Sequence, residues 1–219
     1  MVTPRPAATE ASDVPAGAAS DFVVEMLPPA RSLESLRSVV AQRDAAAGPL
    51  KLHIGGEVRS PGWTVLNAQP GPAVDIVANC VDLTGFADGS VSEIYASHVL
   101  EHLGLAEVPR ALAEWCRVLQ PGGCALISVP DLTKLATALA YPKLPADIRE
   151  WVIAVIYGGQ TDPYDFHKMG FTADILAKFL RTAGFQKVAQ VDEFKLFDDG
   201  SQVRLGPTLI SLNVIAHKS

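Results

Sequence analysis

The stretch FADGSVSEIYASHVLEHL, residues 86–103, decides how this chain is built. Asp88-Gly89-Ser90 is a turn signal, and the run VSEIYAS at 91–97 is rich in β-branched and aromatic residues, so it reads as a strand. Beyond it, Val108, Leu112, Trp115 and Leu119 recur at steps of four, three and four, which lays them along one face of a helix. Pro109 fits that helix only in its first turn, where a missing N–H costs nothing. Pro121-Gly122-Gly123 stops the helix, and CALISV at 124–129 is almost wholly apolar, the composition of a strand buried on both faces of a parallel sheet.

Toward the N-terminus, LKLHI at 50–54 reads as a strand closed by Gly55-Gly56. A second strand at 63–67 follows Pro61-Gly62, and a third is expected at 74–78. The interval between these two is too short for a crossover helix, so one face of the sheet is trimmed. Leu33, Leu36, Val39 and Val40 place a further helix at 32–43, with Ser32 as N-cap and Gly48-Pro49 as its stop. Toward the C-terminus, helical sequence runs to about Tyr157 with a break near Pro142 and Pro145. A polar and aromatic loop occupies 158–170. A helix at 172–183 turns Ile175, Leu176, Phe179 and Leu180 inward, and two strands near 188–197 and 208–216 close the chain. This alternation implies an α/β fold, a mostly parallel sheet with an antiparallel C-terminal edge hairpin.

The length of 219 residues supports one sizeable core. A single domain is expected over 21–219, behind a disordered tail at 1–20 that lacks the basic start and apolar middle of a signal peptide. With 18 Lys and Arg against 24 Asp and Glu, the net charge of −6 argues against a nucleic-acid surface. No basic run suited to RNA or anionic lipid occurs, and no stretch approaches the ~18 apolar residues of a membrane span. Cys80, Cys116 and Cys124 are odd in number and widely spaced, so they read as buried thiols of a reducing compartment. A cytoplasmic protein without nucleic-acid or membrane partners is expected.

From 50 to 185 the order of motifs resembles the class I S-adenosylmethionine-dependent methyltransferases, most of all a bacterial group of small members with largely unassigned substrates. The resemblance rests on the opening stretch, on RALAEWCRVLQPGG (110–123), on ALISVPD (125–131) and on YDFHKMGFTADILAKFLRTAGF (164–185). It implies a Rossmann-like methyltransferase fold with S-adenosylmethionine beyond the carboxyl ends of the strands. Gly55 and Gly56 would let the backbone lie close to the cofactor, if they are more than a plain turn. Asp82 and Leu83 would offer a carboxylate to the adenine amino group and an N–H to a ring nitrogen, unless Asp82 caps a loop. Ser97 and His98 would stand beside the methionine part. Two positions depart from the family pattern. Glu57 replaces the second glycine of Gly-x-Gly, and Asn67 stands where an acid grips the ribose. A neutral acceptor is roughly half as strong as a charged one, so the two changes together weaken binding by about 1–3 kcal/mol.

Two motifs leave alternatives open. His98-Val99-Leu100-Glu101-His102 matches H-x-x-E-H, which on a helix sets two imidazoles over one zinc. His98 is expected to end a strand, however, and no third ligand stands out, so no resident metal is expected and His102 reads equally as a helix-start residue. His167 is either a general base for the methyl acceptor or a loop histidine held by Asp165. Three functions follow: methyl transfer to an oxygen or nitrogen of a small molecule or glycan, with His167 and His98 as catalytic candidates; a non-catalytic scaffold with an eroded cofactor site; and a zinc hydrolase using His98 and His102.

Overall fold

The apolar runs that follow turn signals become strands: β1 (Leu50–Ile54), β2 (Trp63–Asn67) and β4 (Val91–Ser97) take the bounds their sequences imply. The computed structural model describes residues 49–219, so the expected tail at 1–20 and helix at 32–43 lie outside the described residues. β3 is only Ile76–Val77, shorter than expected, because Asp75 turns its carboxylate back to accept from the Val65 N–H at 2.9 Å. β5 (Leu119–Pro130) is longer, since Leu119 pairs with Val91 instead of ending the helix before it. The register then slips so that Glu93 faces Cys124, because Pro121 has no N–H to give the ladder.

The remaining elements are α1 (Glu107–Val118), α2 (Leu132–Leu139), α3 (Ala146–Tyr157), α4 (Ala173–Thr182), β6 (Lys187–Val191), β7 (Arg204–Leu205), β8 (Thr208–Leu209) and β9 (Ser211–His217). Seven strands form one sheet in the order β3-β2-β1-β4-β5-β9-β6. β1 to β5 run parallel, and β9 inserts antiparallel between β5 and β6, the C-terminal antiparallel pair expected. β7 and β8 form a separate small hairpin. No helix lies between β2 and β3, as the short interval implied. No helix among the described residues is long and apolar enough to cross a membrane.

The main core lies on one face of the sheet, where α1 and α4 bury Leu112, Trp115, Leu176 and Leu180. Phe179 packs at its margin, whereas Ile175, expected inward, is 37% exposed. On the other face Trp63, Tyr95 and Leu126 are covered by Phe194 and Phe197. β6 therefore ends at Val191, and the residues after it leave the sheet to cover these rings. Asp199 anchors the cover: it accepts from the Tyr95 hydroxyl at 2.8 Å and from the Ser97 hydroxyl at 3.2 Å.

Candidate active site

The carboxyl ends of the parallel strands open onto a cavity of about 650 Å³, where a doubly wound sheet places its ligand. Gly55, Glu57, Asn67, Asn79, Cys80 and His98 line it from the sheet side. Gly55 adopts φ +74°, and a Cβ there would fall 2.5 Å from Val99 Cγ2, so only glycine carries the chain round this corner. Gly56 is not a lining residue; it packs on the His53 ring, and its carbonyl accepts from Asn67 Nδ2 at 3.2 Å. Asn67 Oδ1 accepts from the Gln69 N–H at 3.0 Å. The Asn67 amide thus braces the loops after β1 and β2, a task in which an aspartate could not donate.

Asp82 and Leu83 fall outside the cavity. Asp82 is exposed and caps a turn, accepting from the Thr84 N–H at 3.1 Å. Leu83 is buried, and its N–H is taken by Glu114 Oε2 at 3.1 Å. Arg117 fixes the same loop through the carbonyls of Leu83 and Phe86, both at 2.9 Å. The groups that face the cavity after β3 are Asn79 and Cys80, because that strand stops at Val77 and the chain turns there. Burial pushes the Cys80 thiol up to about 12, so it is a neutral wall. Ser97 is also outside the cavity, held by Asp199.

The far wall is the loop after α3, through Thr161, Asp162, Tyr164, Asp165 and Lys168. Gln69 Nε2 reaches Asp162 Oδ1 across the mouth at 3.4 Å. The loop is also fastened beneath, where the Glu101 carbonyl accepts from the N–H groups of Lys168 (2.7 Å) and Met169 (3.2 Å). Four carboxylates line the cavity, those of Glu57, Glu107, Asp162 and Asp165, against one lysine, Lys168. The field inside therefore favours a cationic ligand.

His98 stands at the centre of the arrangement. Its φ of +54° is uncommon for a residue with a Cβ and turns the chain sharply off the end of β4. The ring lines the larger cavity and also a second one, of about 330 Å³, with Trp151, Val155, His167, Ile210 and Ser211. Gly200 permits this placement, since a Cβ there would lie 2.6 Å from His98 Cδ2. Nδ1 is 3.1 Å from Glu101 Oε1, and Nε2 is 3.4 Å from Ser211 Oγ. Burial, the largest influence, opposes the charged ring, but the Glu101 carboxylate outweighs it and the net shift is upward.

His167 lines only the smaller cavity. It is not held by Asp165, whose carboxylate accepts instead from Gly159 and Thr161. Its Nδ1 lies 3.0 Å from the Val155 carbonyl, which can only accept, so the proton sits on Nδ1 and Nε2 carries the lone pair. Burial pushes its pKa down. The H-x-x-E-H pair does not form on a helix: His98 precedes a single 3₁₀ turn at Leu100–His102 in a left-handed conformation. His102 instead meets His167, ring centroids 4.7 Å apart. Asn79, Asp199 and Gly200 were not singled out from the sequence; Glu101 entered only within H-x-x-E-H, Cys80 only as a buried thiol, and the loop only through its polar and aromatic composition.

A family model described as a methyltransferase domain matches residues 62–127, from the start of β2 into β5. No curated protein sequence is significantly similar to the chain. Among solved structures, a SAM dependent methyltransferase from Archaeoglobus fulgidus is similar with a TM-score of 0.53 and 16% identity, over 85% of this chain and 95% of that one. A possible exported protein from Bordetella parapertussis is similar with a TM-score of 0.51 and 11% identity, over 85% of this chain and 66% of that one. At such identities the likeness is one of fold. The match to a methyltransferase domain across the strands that floor the larger cavity, together with this strand order, identifies the fold as the Rossmann-like fold of methyltransferases.

Proposed function

We propose that this chain methylates an oxygen or nitrogen of a small molecule or glycan, with the cofactor in the larger cavity and the acceptor's reacting end in the smaller. The observation that carries the reading is His98, the ring common to both cavities. The larger cavity fits the cofactor in size, since small-molecule sites span roughly 300–1,000 Å³. It fits in charge as well, because S-adenosylmethionine carries a sulfonium and four carboxylates surround the space. When bound, the cofactor supplies the methyl group; proximity and alignment are then the protein's main contribution. Gly55 keeps the wall free of a side chain, and the loop bearing Asp162 and Tyr164 excludes water. His98, oriented by Glu101, is placed to hold the proton that the acceptor gives up. In the metal-free chain His167 presents Nε2 to the smaller cavity as a further acceptor.

The scaffold reading draws on Glu57 and Asn67 and predicts no cofactor binding. Titration calorimetry of the purified chain with S-adenosylmethionine and with its demethylated product separates the two. The methyltransferase reading expects saturable binding of both, tighter for the cationic cofactor, with that preference shrinking as salt rises. Absence of heat and of any thermal shift at millimolar ligand would leave the scaffold. Glycans and small hydroxylated or aminated compounds are then screened as acceptors by following the demethylated product.

A further inference from the structure

The structure assigns to Glu101, His102 and His167 a binding site for one divalent first-row transition cation, with zinc as the best match. One ligand atom from each residue lies within 4.8 Å of the others. Distance alone would be weak evidence, but the state of each group is informative. Glu101 is 1% exposed, and its Oε2 has no hydrogen-bond partner. Its one close polar neighbour among the described residues is His98, whose Nδ1 is 3.1 Å from Oε1, and Oε2 has none. A carboxylate this deep, with His98 near one oxygen and nothing on the other, is costly unless something positive completes it. His102 Nδ1 is likewise buried and unpartnered. His167 has its Nδ1–H on the Val155 carbonyl, which fixes the tautomer and leaves Nε2 free. Such a backbone partner is how proteins orient a metal-binding imidazole.

The donor set selects the metal. Two imidazoles and one carboxylate suit zinc and its neighbours, whereas calcium and magnesium take oxygen ligands. Three protein ligands leave a coordination position open. Zinc bonds of about 2.0–2.2 Å set ligand atoms roughly 3.3 Å apart, so the groups must draw in by at most about 1.5 Å, within reach of ring rotation and a small shift of the loop that carries His167. The site stands in the wall between the cavities, since His102 lines the larger and His167 the smaller. Its ligands are not the His98 and His102 pair of the sequence motif, and its presence would reverse the expectation of no resident metal. Cation binding here goes beyond the methyl-transfer reading and does not depend on it.

The test uses the full chain without an affinity tag, stripped with chelator, dialysed, and titrated with Zn²⁺ against a chromophoric chelator. Elemental analysis of protein purified without chelator gives the native content, and Co²⁺ substitution reports geometry through its visible absorption. The expected result is one equivalent per chain, with affinity falling by about 100-fold in His167→Ala and in His102→Ala, and with visible cobalt bands that both variants lose. Glu101→Gln is expected to do the same; because Glu101 is buried, its result counts only where circular dichroism shows a folded chain, and the two histidine variants carry the test. No uptake by the folded wild type overturns the assignment, and so does uptake of equal affinity in both histidine variants.

Discussion

Replacing Gly55 with alanine tests the corner on which the larger cavity depends. The residue sits at φ +74°, where an L-side chain costs about 1–2 kcal/mol. Its new Cβ would also fall 2.5 Å from Val99 Cγ2. Val99 is packed against the main core and has little room to retreat, so the overlap adds about 1–3 kcal/mol. Gly55→Ala should therefore cost about 2–5 kcal/mol, read by urea denaturation. The two contributions separate in a double-mutant cycle with Val99→Ala. Measured against Val99→Ala alone, the alanine at 55 should cost only the backbone share of about 1–2 kcal/mol, because the overlap is gone. S-adenosylmethionine titration gives a second readout, since both residues line the cavity and the single variant should bind more weakly. A loss below about 0.5 kcal/mol, or no relief from Val99→Ala, would refute the close approach and with it the role given to this glycine.

The other predictions concern the surroundings of the site. Gly200→Ala should push the His98 ring aside, costing about 1–3 kcal/mol and moving the His98 imidazole resonances in NMR; unchanged resonances would mean that the helical turn yields instead. Glu114 is held below the usual carboxylate range chiefly by Arg117, which bonds both its oxygens at 2.7 Å. A depressed folded pKa gives stability that is complete above the ordinary value of 4.5 and is lost as pH falls through the lower folded value. Acid unfolding curves should thus be steeper for the wild type than for Glu114→Gln in that window, and parallel curves would contradict the pairing. Cys80, at about 12, should be roughly one part in ten thousand thiolate at pH 8, so mass spectrometry should find its alkylation far slower than that of a peptide thiol.

Local chemistry along the chain was enough for the strands and helices, and hence for the fold. An apolar run between Gly and Pro signals has few alternatives, which is why β1, β2 and β4 fall where their sequences put them. Element edges were less legible where distant groups compete for the backbone: Asp75 shortens β3, and the rings on the second sheet face shorten β6. Glu57 and Asn67 were legible as departures, and both line the cavity, but that Asn67 braces two loops depends on Gly56 and Gln69 around it. Of the two readings left open for Asp82 the structure shows the loop cap, because a carboxylate's direction is set by the nearest unpaired N–H, here that of Thr84, and not by its distance along the chain from a strand. The meeting of His102 with His167 needed the third dimension altogether. The two residues belong to segments joined where the Glu101 carbonyl takes the N–H groups of Lys168 and Met169, and no periodicity records a hydrogen bond between a 3₁₀ turn and a loop so far apart in sequence.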